Sequence, residues 1–476
     1  MFNEAIYKVS QGEPYVSQGE PYVSQGEPYA PLYEALIKYN KLNSSRFHTP
    51  GHKATNASPF YDVFGDALAF DVTELPQTDS LYDAKSVIFQ AEAAAASHFG
   101  VKHTLFSAGG ATLCIQAMMR LTQKRGNKLI CARNVHRSAI NAMSMLGIDP
   151  IWVYPKQFEN SSLPGYISVQ DIEEILASQS DFSAVFITSP DYYGVISDIK
   201  GISDACKKYD VPLLVDNAHG SHLFYCDGGA LHPARLGASI TCDSAHKTLP
   251  VLTGGAFLQI NSEQFSYQEA KNAMALFGST SPSYLIMLSL DIARAWLEQN
   301  GNTAYNELCN KVADLKQLCF EKGFKFPSQA VFDPARLTLD FGSVGYTGEQ
   351  AEAMLGEFGI TSEMHDNRYV VIMLSPFNKK VDFERLKNFI NNLKIKQPIK
   401  NVNYVFSKQK SVMPIKEAVF AQSEIVSIEK AVSRIAAECR IPCPPGVPII
   451  MPGEIIDDET AYNLKNYGVF NIKVVK

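Results

Sequence analysis

Between residues 103 and 260 the chain alternates short apolar, β-branched runs with turn residues and segments of helical periodicity. The runs are HTLFS (103–107), KLICAR (128–133), PIWVYP (150–155), AVFITS (184–189), PLLVD (212–216), SITCD (239–243) and GAFLQI (255–260). Most carry apolar residues at consecutive rather than alternating positions, as strands buried on both faces do. Helical segments such as 111–124 and 199–209 fall between most of them. The alternation predicts βαβ units and a mostly parallel, seven-stranded sheet.

Upstream, PLYEALIKYNKL spaces Leu32, Leu36, Tyr39 and Leu42 at helical intervals, with Pro31 in the first turn. Residues 84–99 are strongly helical and stop at Gly100. Residues 281–325 predict one or two long helices, and shorter mixed elements follow to about 393. A Lys/Asn-rich stretch at 391–403 marks a boundary, and a Pro-rich knot, IPCPPGVPIIMPGE, occupies 441–454. Ahead of everything, VSQGEPY occurs three times in succession, at 9–15, 16–22 and 23–29. Gly and Pro in every copy rule out a coiled coil. The repeats read as a solvated arm, or one that docks on a neighbouring subunit. The expected organisation is an arm (1–30), a large α/β domain (31–300), a small α/β domain (301–395) and a C-terminal module (396–476).

Composition narrows the class. The 476 residues are 46% hydrophobic and 19% charged, which supplies a substantial core and excludes a disordered chain. Lys+Arg of 43 against Asp+Glu of 49 gives −6, with no global signature of nucleic-acid or anionic-membrane binding. No apolar run approaches the ~18–20 residues needed to span a bilayer. The start, MFNEAIYKVS, lacks the basic-then-apolar order of a signal peptide. Nine cysteines without C-x-x-C spacing suggest neither a disulfide framework nor a zinc site. A cytoplasmic protein without a structural metal is expected.

In a parallel α/β sheet, ligands gather outside the carboxyl ends of the strands. After 103–107 comes a glycine turn, Ala108-Gly109-Gly110-Ala111-Thr112, opening a helix whose free N–H groups suit an anion such as phosphate. After 128–133 comes His136, placed to stack on a planar ring or to move a proton. The run 212–216 ends at Asp216, a buried charge in need of a cationic partner, followed by Ala218 and His219. Ser244-Ala245-His246-Lys247 follows 239–243, and a lysine removed from water becomes nucleophilic. Each feature alone is ordinary. Together, a phosphate turn, a ring-stacking His, a strand-end Asp and a lysine fit pyridoxal phosphate.

The sequence resembles the Orn/Lys/Arg decarboxylase family, a branch of the fold-type I pyridoxal-phosphate enzymes, in its short form. HTPGHK (48–53), DVTEL (71–75), GGAT (109–112), RNVHRS (133–138), VDNAHGSH (215–222), SAHK (244–247) and PPGVPIIMPGE (444–454) carry the likeness, in the family's order. The resemblance implies a fold-type I large domain, a small α/β domain and a C-terminal family module. It implies that Lys247 forms an aldimine with the cofactor and Asp216 holds the pyridine nitrogen protonated. His136 and Ala218 would pack on the two ring faces. Gly110, Ala111, Thr112, Ser244 and His246 would hold the phosphate, with His219 near the substrate. Decarboxylation of arginine, lysine or ornithine would give agmatine, cadaverine or putrescine. At least a homodimer is expected.

The chain departs from the family pattern in three places. Gly-Gly-Ala-Thr replaces a hydroxyl ligand by Ala111, Cys443 stands where many members carry Tyr, and Asp191 stands where Thr is common. A cationic substrate side chain wants a carboxylate, for which Glu74, Asp79, Asp191 and Glu454 are candidates. The competing reading is an aminotransferase or β-eliminating lyase, in which Arg336 or Arg368 would fix the substrate carboxylate. A cofactor-binding relative without decarboxylase activity is a third, opposed by intact Lys247 and Asp216. Cys242, beside the SAHK turn, reads as a small buried apolar residue, with redox sensitivity as the alternative.

Overall fold

The computed structural model describes residues 29–159, 161–327, 331–400, 408–440 and 448–476. The VSQGEPY repeats, apart from the closing Tyr29, and Cys443 lie outside the described residues. All seven apolar runs are strands of one sheet: β1 (His103–Ser107), β2 (Lys128–Ala132), β3 (Asp149–Val153), β4 (Phe182–Thr188), β5 (Leu213–Asp216), β6 (Ile240–Asp243) and β7 (Ala256–Ile260). Their spatial order is β1-β7-β6-β5-β4-β2-β3. Strands β2 to β6 pair in parallel, and β7 alone runs antiparallel to both its neighbours. The carboxyl ends of β1, β2, β4, β5 and β6 therefore share one edge.

Consecutive apolar residues along β5 serve opposite faces, because side chains alternate across a strand. Leu214 joins the layer beneath the helices Gly110–Thr122 and Arg137–Leu146, with Met118, Ile140 and Leu258. Leu213 and Val215 join the other layer, with Ile172 and Ile202 from the helices Val169–Ser178 and Ile199–Lys208. This two-sided demand is why the runs lack alternation.

Residues 281–325 contribute a single helix, Tyr284–Glu321, of 38 residues, opened by the Ser283 side chain accepting from the Ile286 N–H. Its first turns pack Leu288, Leu290 and Leu297 against Phe106 and Phe257 of the sheet. Its last turns carry Leu315 and Cys319 into the core of the small domain. Residue 300, the expected domain boundary, thus falls inside a continuous helix that both bodies share. The small domain adds an antiparallel sheet, Arg336–Asp340, Tyr369–Met373 and Met364–His365, with helices Gly348–Glu357 and Lys380–Asn392.

The C-terminal module pairs Ser423–Ser427 with Asn471–Val475 around Ile428, Ile456, Leu464 and Ile472. Ile415 and Met451 insert into the large domain's core. A buried ion pair fixes the seam: Arg133 Nη1 and Nη2 donate to Glu454 Oε1 and Oε2, both at 2.7 Å, with each side chain 1% exposed. Arg133 also lies over the rings of Trp152 and Tyr154. Such a pair roughly balances its own desolvation, but removing one partner strands a charge in the interior. Glu454→Gln should therefore lower unfolding free energy by about 3–5 kcal/mol in denaturant titration. The double replacement Arg133→Met, Glu454→Leu should recover most of that loss, and a Glu454→Gln protein as stable as the parent would refute the ion-pair account.

Candidate active site

The shared carboxyl edge gathers the residues that the sequence singled out. β1 ends at Ser107, whose hydroxyl donates to Gly110 O and accepts the Gly109 N–H. Gly110 adopts φ +66, a conformation that favours glycine, and gives its own N–H to Gly254 O at 2.8 Å. Gly110 therefore shapes the turn rather than offering its amide. The N–H groups of Ala111 and Thr112 come next in the helix Gly110–Thr122, where the first turn has no intrahelical acceptors. Those two amides, with Thr112 carrying a hydroxyl, are what the turn has left to offer an anion.

His136 caps the helix Arg137–Leu146, its Nδ1 accepting the Ser138 N–H at 3.2 Å. The neutral ring's proton accordingly sits on Nε2. Desolvation lowers the His136 pKa, opposed by Asp216. His246 turns its Nδ1 to Gly255 O at 3.1 Å and to Ser244 Oγ at 3.3 Å.

Asp216 closes β5 at 2% exposure, with Oδ1 accepting the Ala218 N–H at 3.1 Å. Burial pushes its carboxyl up, while His136 and Lys247 pull it down. Beneath it, Asp243 accepts from Asn217 Nδ2 and from Gln259 Nε2 and pairs with His232. The ends of β5 and β6 are thereby locked together.

Lys247 follows β6 and keeps solvent-accessible surface, yet the protein packed around its ammonium lowers its pKa, helped by Arg336 and opposed by Asp216 and Glu363. Its Nζ lies 2.9 Å from His219 Nε2. Arg336 Nη1 faces His219 Nδ1 at 3.5 Å and Nη2 donates to His219 O at 2.9 Å. A guanidinium offers only protons, so Nδ1 accepts and the imidazole proton points from Nε2 toward Lys247. Burial, Lys247 and Arg336 hold His219 well below the ordinary imidazole range. A neutral histidine donating to the amine favours the nucleophilic state of Lys247.

Arg336 reaches the site but is saturated. It donates to Tyr192 O at 2.9 Å and Asp191 O at 3.4 Å, and Asp333 lies 3.5 Å from its Nε. His222 pairs with Asp333 at 2.7 Å; burial alone would raise that carboxyl, but His222 and Arg336 outweigh it and hold it at about 2. Arg368, the other arginine considered, is spent on Asp340 and Ile399 O.

The four expected carboxylates do not converge on Lys247. Glu454 is consumed by Arg133, because the knot packs as a domain seam. Asp79 caps the helix Val87–Phe99, accepting the N–H groups of Lys85, Ser86 and Ile88. Glu74 is exposed and accepts from Ser80 Oγ within its own loop. Asp191 turns back to accept the Val195 N–H at 2.8 Å, and burial raises it to about 7, so it is a poor counter-ion. A fifth carboxylate, Glu363 of the small domain, was missed. Tyr192 donates to Glu363 Oε1 at 2.8 Å, and the Tyr192 ring meets that of His219 at 4.7 Å. No spacing rule connects Glu363 to Lys247; only TSPDYYG, which supplies Tyr192, gave a signal nearby. Among the described residues no cluster is arranged to hold a metal, and no helix is long and apolar enough to cross a membrane.

Residues 30–334 match the major domain of the Orn/Lys/Arg decarboxylases, and residues 401–470 match the C-terminal domain of that family. The arginine decarboxylase of Bacillus subtilis is 31% identical over 458 residues, covering 92% of this chain and 93% of that protein. The constitutive lysine decarboxylase of Escherichia coli is 23% identical over 544 residues, covering 90% and 76%. In structure, the lysine decarboxylase of Francisella novicida superposes with a TM-score of 0.82 at 18% identity, over 94% of this chain and 81% of that one. The fold is that of the fold-type I enzymes.

Asp191 supplies a pH test of this geometry. From its ordinary 3.8 up to about 7, the folded protein holds a proton that the unfolded chain has released. Stability contributed by this group therefore falls as pH rises through that window. Between pH 5 and 8 the loss should be about 3 kcal/mol, and Asp191→Asn should remove it from denaturant titrations. An unchanged pH slope in the variant would place an ionised carboxylate there instead.

Proposed function

This chain belongs to the Orn/Lys/Arg decarboxylase family, and from that premise we propose that it uses pyridoxal 5'-phosphate to remove the α-carboxylate of a basic L-amino acid, arginine or lysine before ornithine. One observation carries the reading: Asp216, His136, His219 and Lys247 meet at one edge of the sheet, with Lys247 Nζ 2.9 Å from a neutral imidazole.

The donor set suits the cofactor. Asp216, raised by burial, gains a cation if it faces a protonated ring nitrogen. The Ala111 and Thr112 amides, the Thr112 hydroxyl, Ser244 and His246 would receive its phosphate, and His136 and Ala218 would hold its faces. Lys247 would hold its aldehyde carbon. The bound group supplies a sink for the electron pair left when carbon dioxide departs. The protein's own part is positional and acid–base. Asp216 holds the ring-nitrogen proton, and His219 Nε2–H orients Lys247. Lys247 Nζ, kept close and biased toward its uncharged form, exchanges protons with the substrate amine and returns one to Cα. Burial, with Lys247 and Arg336, keeps His219 uncharged, so the imidazole adds no positive charge of its own against a basic substrate.

Glu363, held by the Tyr192 hydroxyl, is the carboxylate that best fits the substrate's distal cation. The reading extends to a homodimer or larger homo-oligomer. Leu42, Phe47, Val63 and Phe64 are exposed at 63%, 96%, 79% and 54%, apolar side chains that a second copy would cover.

Incubation of the purified protein with the cofactor and L-arginine, L-lysine, L-ornithine or acidic amino acids should release carbon dioxide and an amine from a basic member only. Lys247→Ala should abolish turnover. A keto acid as product, or no amine from any basic amino acid despite bound cofactor, would defeat the assignment. Glu363→Gln removes one charge-assisted contact, about 1.5–3 kcal/mol, so KM for the basic substrate should rise about 10- to 100-fold with a smaller change in kcat.

A further inference from the structure

We infer that Cys226 and Cys309 form a modification site, a thiol pair that a peroxide converts reversibly into an intramolecular disulfide tying the segment after His219 to the long helix. The two cysteines are 83 residues apart in sequence, and both are free thiols. Cys226 ends the short turn Ser221–Tyr225, and Cys309 lies on the helix Tyr284–Glu321. Their sulfurs are 3.3 Å apart. A disulfide needs about 2.0 Å, so closure asks for little more than ~1 Å of movement.

The proximity is built by the helix. Positions 301, 305 and 309 recur every four residues and share one face. At Gly301 a Cβ would meet the Tyr225 ring at 2.5 Å, so glycine lets the segment approach. At Tyr305 the ring stacks on Tyr225 at 5.7 Å. Next to it, Asn306 Oδ1 accepts the Asp227 N–H at 3.0 Å. Cys309 then meets Cys226 one turn further along.

Access and reactivity distinguish this pair. Cys226 is 2% exposed, whereas Cys309 is partly open to solvent. Contact with Cys226 holds the Cys309 thiol below its ordinary range, with burial and Asp333 opposing and Lys316 assisting. Cys309 is thus the more accessible and the more readily ionised of the two thiols, the one a small oxidant meets first. By contrast, Cys114 and Cys242 also neighbour one another, but both are buried.

The chemistry closes without further groups. The Cys309 thiolate attacks the peroxide O–O bond, gaining a hydroxyl as sulfenic acid while hydroxide leaves. The Cys226 sulfur then attacks Cys309 sulfur, the S–O bond breaks, and the departing hydroxide takes the Cys226 proton as water. Two thiols are oxidised by two electrons, and one peroxide is reduced to two waters. A dithiol reductant reverses the bond by exchange.

The test uses the purified full-length protein treated with hydrogen peroxide. Remaining thiols are alkylated, the protein is digested without reductant, and peptides are weighed. The expected product is a Cys226–Cys309 linked pair, lighter by two hydrogens than the separate peptides and lost on dithiothreitol treatment. The melting midpoint should rise on oxidation and return on reduction, because the cross-link constrains the unfolded chain. Cys309→Ser should melt like the parent under reductant and show neither response. Cys309 recovered as sulfinic acid, both thiols recovered alkylated, or links made to other cysteines would overturn the inference. None of these readouts depends on the activity or on the cofactor.

Discussion

A carboxylate buried at the end of a central strand must be compensated, and Asp216 sets that requirement for the whole active edge. At 2% exposure it cannot rely on water. Its compensation comes from the Ala218 amide, from His136 and from Lys247, which arrive on three different connections. They meet only because β2, β5 and β6 run parallel and end on one side. The Asn217–Asp243–His232–Gln259 network beneath it holds β5 and β6 at a fixed spacing, so the carboxylate cannot escape by local rearrangement.

A second line of charge runs outward from Lys247. It passes through His219 to Arg336, Asp333 and His222, crossing from the large domain to the first strand of the small one and back. Arg336 is what makes the line directional. Its donors face His219 and two carbonyls, so it fixes one tautomer of His219 and has little to spare for another anion. The buried Arg133–Glu454 pair plays a different part. It seats the C-terminal module. One ionic system orients chemistry; the other orients a domain.

Much of the edge was legible in the sequence because its residues lie next to strands. Apolar runs of five or six residues announce strands, and the residue just past each run inherits a place at the carboxyl edge. Asp216, His136, Lys247 and the 109–112 turn were readable in this way. The carboxylate proposed for the substrate's distal cation was not. Glu454 sits in a conspicuous Pro-rich motif, but conspicuous motifs also build seams. Glu363 sits in an unremarkable segment of the small domain, and only packing brings it to Tyr192.

By itself, then, the sequence determined the number and location of the large-sheet strands, the layering of helices on two faces, and the placement of Asp216, His136, Lys247 and the 109–112 turn at or just past the strand ends. Those depend on local periodicity and on chain neighbours, which a linear chain records. Tertiary structure decided the rest. It made 284–321 one helix shared by two domains, turned Arg336 from a candidate anion receptor into the partner of His219, and set Cys226 against Cys309 across 83 residues. Each of these is a contact between residues far apart in the chain. Its geometry follows from how whole layers pack, and no spacing within the sequence encodes it.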